Sequence, residues 1–141
     1  MDSVLATKLF EQELAKLKKV MSDDLINSDI FIEKIIYVNL PRKNDGIKFL
    51  LKITCDEEFP LEPADYMFVN PVSKKDDDKQ YWPTDNNQAF KLDENPRWIC
   101  LAGTKEYKKR HPDHQFNSKI HTLSQTVFHI LRQINGWLAK K

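Results

Sequence analysis

The sequence is poor in cysteine and glycine and has no long apolar run. Its three glycines argue against a glycine-rich phosphate-binding loop, which needs several glycines in one short segment. Its two cysteines, Cys55 and Cys100, are too few for a disulfide scaffold. No stretch approaches the roughly 18 apolar residues that predict a membrane-spanning helix, and acidic residues among the first positions argue against a signal peptide. We therefore expect a cytoplasmic protein whose thiols are reduced.

The charges of the chain nearly balance. Lysine and arginine together number 22, aspartate and glutamate number 21, and the formal net charge is +1. Because no overall electric field selects nucleic acid or a membrane surface, we expect neither as a partner. With 40% hydrophobic and 11% aromatic residues, residues 1–141 are expected to fold as one domain around a single core.

Two segments have apolar residues at helical spacing. The first predicts a helix over residues 4–21, with Asp2 or Ser3 as its N-cap. The second predicts a strongly amphipathic helix near the end of the chain, capped by Asn117 or Ser118. The apolar stripe of this last helix comprises Ile120, Leu123, Val127, Ile130, Leu131, Ile134, Trp137 and Leu138.

Consecutive strands are predicted between the two helices. Residues 31–40 and 47–55 are rich in β-branched and aromatic residues around an Asn-Asp-Gly turn, which predicts a β-hairpin. Residues 64–70 predict a further strand, and residues 24–29 a short one with a weak pattern. Helices that flank a run of strands indicate an α+β fold, with a helix packed on one face of an antiparallel three- to four-stranded meander.

Alternation in the second arm of the hairpin predicts that Cys55 belongs to the core. Side chains alternate between the two faces of a strand. One face of this arm is apolar and the other is mostly charged or polar; the apolar face comprises Phe49, Leu51, Ile53 and Cys55, the other Lys48, Lys52 and Thr54. A buried cysteine among apolar neighbours is usually inert.

Residues 72–97 have no regular pattern. A loop of this length inside a compact domain is usually functional. Its charged segment SKKDDDK, residues 73–79, predicts a solvated loop. Tyr81 and Trp82 either pack to stiffen the loop or shape a groove for a substrate.

Three roles are open for Cys100: a core residue, a metal ligand or a nucleophile. Its neighbours Trp98, Ile99 and Leu101 are apolar, which suits a core residue. Structural zinc sites usually use closely spaced cysteine pairs, which this chain lacks, so we expect no metal. Cations close in sequence would favour the thiolate if they approached the sulfur; they are Arg97, Lys105, Lys108, Lys109 and Arg110.

Two motifs in the correct order resemble the ubiquitin-conjugating enzyme family. The segment TCDEEFPLEPADYMFVNP, residues 54–71, resembles the family's aromatic-proline pair, which is followed by a second proline and a strand. The segment Trp98-Ile99-Cys100-Leu101 resembles the Ile-Cys-Leu around the family's catalytic cysteine. The resemblance covers nearly the whole chain. It implies a UBC-like fold with an N-terminal helix, an antiparallel meander, a long active-site loop and a C-terminal helix.

The resemblance also implies an activity. Cys100 would form a thioester with the C-terminus of a ubiquitin-like protein, or of a partner nucleotidyltransferase, and would then transfer or hold it. An activating enzyme would supply the energy, and the carrier itself would need no cofactor. Residues 98–101 and several that follow are more similar to bacterial members, which stand in ubiquitin-like conjugation operons and in antiphage operons built around a cyclic-nucleotide synthase; these residues are Gly103, Thr104, Tyr107, His111 and Pro112.

The chain departs from the family at the His-Pro-Asn triplet that usually lies shortly before the cysteine. Leu92 and Asp93 occupy that region, and neither Asn87 nor Asn95 is at the motif position. Because a fold alone does not imply an activity, the alternative is a catalytically silent binding module of the same fold that regulates a partner enzyme.

Histidines and aromatic residues around the basic segment complete the set of candidates. His111, Asp113 or His114 would gate Cys100 or accept a proton from an incoming amine. The remaining groove candidates are Tyr81, Trp82, Asn95 and Tyr107. His121 and His129 are two helical turns apart and are predicted to share a face of the last helix.

Overall fold

The computed structural model describes residues 3–21, 25–26, 34–84, 86 and 88–136. Three helices, six strands and a 3₁₀ turn (Lys79–Tyr81) are present in these ranges. In chain order the helices and strands are α1 (Ser3–Met21), β1 (Leu25–Ile26), β2 (Ile35–Pro41), β3 (Lys48–Thr54), β4 (Asp65–Val69), β5 (Phe90–Lys91), β6 (Trp98–Ile99), α2 (Lys105–Arg110) and α3 (Leu123–Asn135). No helix in the described part of the chain has the length and apolar character needed to cross a membrane.

The two long helices pack against each other, as their apolar stripes require. The predicted first helix is confirmed, although Ser3 is its first helical residue and therefore not its N-cap. Its buried apolar residues recur every three or four positions: Ala6, Phe10, Leu14, Leu17 and Met21. The last helix is also confirmed, but its predicted start is wrong. Thr122 is the N-cap, because its hydroxyl accepts the Gln125 N–H. Ile120 therefore precedes the helix and is 60% exposed; Asp2, Trp137 and Leu138 lie outside the described residues.

The main sheet has the strand order β1-β2-β3-β4, and all of its pairs are antiparallel. The predicted hairpin is confirmed as β2 and β3, joined by a turn in which Gly46 has φ +74°. The predicted strand at 64–70 is confirmed as β4, and Leu25 and Ile26 form the described part of the weakly patterned strand. The α+β prediction is confirmed, and the layout is consistent with the UBC-like arrangement that the resemblance implies.

One face of this sheet meets the helices and forms the core. The predicted apolar face of β3, including Cys55, is buried in the same cluster as the apolar stripes of α1 and α3. The core interpretation of Cys55 is confirmed, since this residue is only 3% exposed. The opposite face carries a small second cluster of Tyr37, Leu50 and Val69.

A two-stranded second sheet, β5 and β6, lies beside β4. The irregular segment before it is fixed by aromatic packing on β4. The ring of Phe68 makes edge-on contacts with Trp82 at 5.2 Å and with Phe90 at 5.5 Å. Such contacts stabilise a long loop without regular hydrogen bonding. The predicted active-site loop is therefore packed against the core, and it leads directly into Cys100.

Candidate active site around Cys100

Cys100 is the first residue after β6 and is partly exposed. Its N–H donates to the Ala89 carbonyl at 2.6 Å, which continues the antiparallel pairing of Phe90 with Ile99 by one position. The residue across the ladder from Cys100 is therefore Ala89, which is buried. A methyl group offers no hydrogen bond to a thiolate or an oxyanion, so any such donor comes from elsewhere.

Thr104 fixes the backbone on the other side of Cys100. Its hydroxyl lies 3.2 Å from the carbonyl oxygen of Ile99 and 3.0 Å from that of Leu101. The same oxygen accepts the Tyr107 N–H at 3.2 Å and thereby caps α2. Thr104 is 2% exposed. These bonds fix the backbone of residues 99–104, which we call the Cys100 segment. The cysteine side chain lies at the edge of the core.

Gly103 brings the same segment into close contact with α3. Its φ is +102°, and a Cβ placed on it would lie 2.5 Å from Thr126 Oγ1. Only glycine adopts this conformation without strain and leaves room for the helix. The Cys100 segment therefore packs directly on the last helix.

Most of the cations near Cys100 in sequence form ion pairs. Arg97 pairs with Asp76 at 3.0 Å, and Lys105 with Asp56 at 3.3 Å. The remaining described pairs are Lys108 with Glu62, and Arg110 with both Glu94 and Glu106. Since each positive charge has a carboxylate beside it, these four residues do not form an uncompensated cationic field around the thiol.

Asp76 contradicts the interpretation of its segment as a wholly solvated loop. Its side chain is 15% exposed. Oδ1 accepts hydrogen bonds from Trp82 Nε1 at 2.9 Å and from Arg97 Nε at 3.0 Å. The carboxylate therefore links the charged loop to the residue immediately before β6. The packing interpretation of Trp82 is confirmed, since its ring is 1% exposed.

A second set of contacts covers the other side of the β5–β6 hairpin. Trp98 Nε1 donates to Glu94 at 2.8 Å, and the Arg110 guanidinium lies 4.5 Å from the Trp98 ring centroid. Asn95 is exposed in the turn between the strands, and Tyr81 is half-buried at the end of the 3₁₀ turn. Within the part of the chain that the structure describes, neither of these two side chains hydrogen-bonds to Cys100.

Tyr107, His111 and His114 form a ring cluster at the end of α2. The Tyr107 hydroxyl lies 2.5 Å from His114 Nδ1, and the Tyr107 and His111 rings are 4.4 Å apart. The two imidazoles are stacked at 5.2 Å. Asp113 is exposed between them in sequence. This cluster brings three of the predicted candidates together.

A small pocket of about 150 Å³ connects the ring cluster to the Cys100 segment. Its walls include Ala102, Gly103, Tyr107, His114 and His121. Ala102 is two positions beyond Cys100, so their Cα atoms are at most about 7.6 Å apart. Two rings of the cluster and the residues that follow Cys100 therefore line the same pocket.

The histidines do not share the helical face that their spacing predicts. His121 precedes α3, where its Nδ1 accepts the Asn117 N–H and its ring stacks on Phe116. His129 is on α3, and its pKa is lowered, mainly by burial and further by Arg132 and His121. Among the described residues, no three histidine, cysteine, aspartate or glutamate side chains are placed to hold a metal ion.

Sequence reasoning missed Asn86. Its Oδ1 accepts the backbone N–H groups of Gln88 and Ala89, and its Nδ2 donates to Gln133 on α3 at 2.7 Å. Asn86 thus fixes the turn that contains Ala89, the residue opposite Cys100. An asparagine before a turn often hydrogen-bonds the backbone that follows it, and this was the sequence signal for Asn86. The adjacent Asn87, which lies outside the described residues, has the same signal, so the sequence does not distinguish the two.

Neither a protein-family model nor a curated protein sequence matches this chain.

Proposed function

We propose that this chain is a ubiquitin-conjugating-enzyme-like transferase in which Cys100 is the thioester-forming nucleophile. It receives the activated C-terminus of a ubiquitin-like protein, or of a partner nucleotidyltransferase, and transfers or holds it. The setting we propose is the bacterial cytoplasm, in an antiphage operon. An activating enzyme that uses ATP supplies the energy of the thioester, and the carrier needs no cofactor of its own.

The observation that carries this proposal is the contrast between the two thiols. Cys100 is partly exposed on a backbone segment that Ala89 and Thr104 fix in place. Cys55 is buried, and burial is the main reason why its pKa lies far above the ordinary value. Because the thiolate is the nucleophile, Cys55 is unsuited to group transfer, and the partial exposure of Cys100 supports the choice of this residue as the nucleophile.

The proposed reaction conserves atoms and charge in two steps. The Cys100 thiolate attacks the carbonyl carbon of the donor thioester, and the donor's thiolate leaves as the new carbon–sulfur bond forms. An acceptor amine then attacks the same carbonyl carbon, and the Cys100 thiolate leaves. The amine proton passes to a base; the Tyr107–His114 pair is our candidate, because the two side chains share a pocket wall with the Cys100 segment.

A catalytically silent UBC-fold module that regulates a partner enzyme is the second candidate. Two observations favour it. Ala89 stands across from Cys100, where no side-chain donor is available, and four nearby cations are paired with carboxylates. Both features leave the thioester chemistry with less electrostatic support than an oxyanion site usually supplies.

Intact-mass spectrometry of the chain expressed with its genomic neighbours tests the first proposal. Wild type is expected to carry an adduct that thiol reagents remove. The Cys100→Ser variant should carry a thiol-resistant ester of the same acyl group, and Cys100→Ala should carry none. Cys55→Ala is the matched control and should keep the adduct.

The opposite outcome supports the silent module. In that case wild type carries no adduct with the full set of neighbours present, while Cys100→Ala binds the same neighbours as wild type. An adduct that survives in Cys100→Ala would also contradict the assignment of the nucleophile.

A further inference from the structure

A second, larger pocket lies between the Cys100 segment and α3. Its volume is about 340 Å³, and its lining residues include Ala102, His121, Gln125, Phe128, His129 and Arg132. We call it the Arg132 pocket. Its polar side chains are able to donate hydrogen bonds, and no carboxylate is among the described residues that line it. Such a lining is suited to an anionic group.

Arg132 differs from the other three arginines of the chain. Arg42, Arg97 and Arg110 each pair with a carboxylate at 2.7 to 3.2 Å. Arg132 has no carboxylate within ion-pair distance among the described residues; its guanidinium lies 5.9 Å from the Phe128 ring centroid. A half-buried guanidinium without an acidic partner favours an anion from another molecule, because the fixed fork of donors matches a carboxylate.

The two histidines extend this donor surface. Burial, together with Arg132 and His121, lowers the pKa of His129. A neutral imidazole still donates one hydrogen bond. An anion bound beside it would favour the protonated form, so anion binding and protonation of His129 are coupled. Exposed apolar side chains, Phe128 and Ile120, lie beside the donors and suit the aliphatic part of a peptide.

The position of the pocket beside the residues that follow Cys100 points to a source for the anion. Ala102, in the pocket wall, lies at most about 7.6 Å from Cys100 between Cα atoms, and an extended peptide advances about 3.3 to 3.6 Å per residue. A chain joined to Cys100 by a thioester therefore reaches Ala102, in the pocket wall, within about two or three residues of its C-terminus.

We infer that the Arg132 pocket binds an acidic side chain near the C-terminus of the polypeptide that Cys100 receives. This inference rests on the proposed function and adds a substrate preference to it. A donor whose tail carries aspartate or glutamate two to three residues before its terminal glycine would be held with its carbonyl carbon at the thiol.

Peptide binding to the full chain tests the inference without any transfer chemistry. The protein is the Cys100→Ser variant, and the probe is the peptide acetyl-Leu-Asp-Leu-Gly-Gly-amide, whose aspartate is its only charge. The matched probe has asparagine in place of aspartate. Binding is followed by NMR, through the backbone signals of Ala102 and Gln125 and the imidazole signals of His121 and His129.

The aspartate peptide is expected to shift these signals and to bind about tenfold more tightly than the asparagine peptide, as expected for one charge-assisted hydrogen bond. Its affinity should rise from pH 7.5 to pH 6, because it binds better when His129 is protonated. Arg132→Gln should abolish the preference for aspartate. Lys8→Gln, which removes an exposed charge on α1, should leave that preference intact.

Equal binding of the two peptides, or an aspartate preference that persists in Arg132→Gln, would overturn the inference. Signal changes confined to the surface of Lys105, Lys108 and Lys109 would overturn it as well. Its failure is distinct from failure of the carrier proposal. A normal Cys100 adduct together with no peptide preference refutes only the pocket, whereas an aspartate-selective pocket with no adduct refutes the carrier and the link to a thioester.

Discussion

At the scale of single residues, Gly103 controls how closely the Cys100 segment approaches α3. We expect Gly103→Ala to lower the free energy of unfolding for two reasons. The positive φ costs an L-residue roughly 1–2 kcal/mol. The added methyl group, 2.5 Å from Thr126 Oγ1, costs a further 1–3 kcal/mol or so, because the packed interior must shift. Urea unfolding followed by circular dichroism measures the sum.

Gly46→Ala is the matched control for this prediction. Gly46 also has a positive φ, +74°, but a Cβ on it would meet nothing within 4 Å. This variant should therefore lose only the conformational part. If the two variants lose the same free energy, the contact with Thr126 contributes nothing and the Cys100 segment is less constrained than its geometry indicates.

Residue environments were predictable where the pattern was local. Alternation along β3 was sufficient to place Cys55 in the core, because the two faces of a strand differ in polarity. Asp76 was not predictable in this way. It lies in a run of charges that is typical of a solvated loop, yet its partners Trp82 and Arg97 are brought to it only by the fold.

At the scale of elements, the start of α3 provides a direct test. Thr122 Oγ1 accepts the Gln125 N–H at 3.2 Å. We expect Thr122→Ala to lower the free energy of unfolding by about 1 kcal/mol, the usual contribution of such a cap. Ser118→Ala is the control, since Ser118 precedes the helix and caps nothing in it; this variant should be nearly neutral. The reverse order of the two effects would show that the helix begins at the earlier position.

The helix itself was predictable, but its first residue was not. The apolar stripe of α3 has a helical period that extends over its whole length, and this identifies the element. Asn117, Ser118 and Thr122 are all residue types that cap helices well. The choice among them depends on which backbone N–H groups each side chain reaches: Thr122 accepts the Gln125 N–H within α3, whereas Asn117 accepts the Lys119 N–H in the turn before it.

The same limit applies to the candidate site. The sequence distinguished Cys100 by its apolar neighbours and its place after a long loop, and the structure places it partly exposed at the end of β6. The sequence did not predict that Ala89 lies opposite Cys100, because this follows from the register of β5 with β6. Two strands of two residues each carry too little pattern to specify a register.

At the scale of the whole molecule, the order of helices and strands predicted the α+β layout, since consecutive strands pair with their neighbours and helices cover the apolar face. The polar contact between α1 and α3 was not predictable. Glu13 on α1 is 6% exposed, and its Oε1 accepts the Leu123 N–H, the first of α3, at 3.0 Å. A glutamate on a helix is usually a solvated residue, and its partner lies 110 positions away.

Removing this contact should weaken the whole fold. We expect Glu13→Ala to lower the free energy of unfolding by about 2–3 kcal/mol, because a charge-assisted bond is lost and a buried N–H loses its acceptor. Glu13→Gln should lose about half as much, since the amide oxygen still accepts. Chemical unfolding monitored by Trp fluorescence measures both losses, and Glu11→Ala, an exposed neighbour on α1, is the control. If Glu13→Ala and Glu11→Ala are equally stable, the hydrogen bond between Glu13 and Leu123 adds no stability. In that case α1 and α3 are held together by their apolar faces alone.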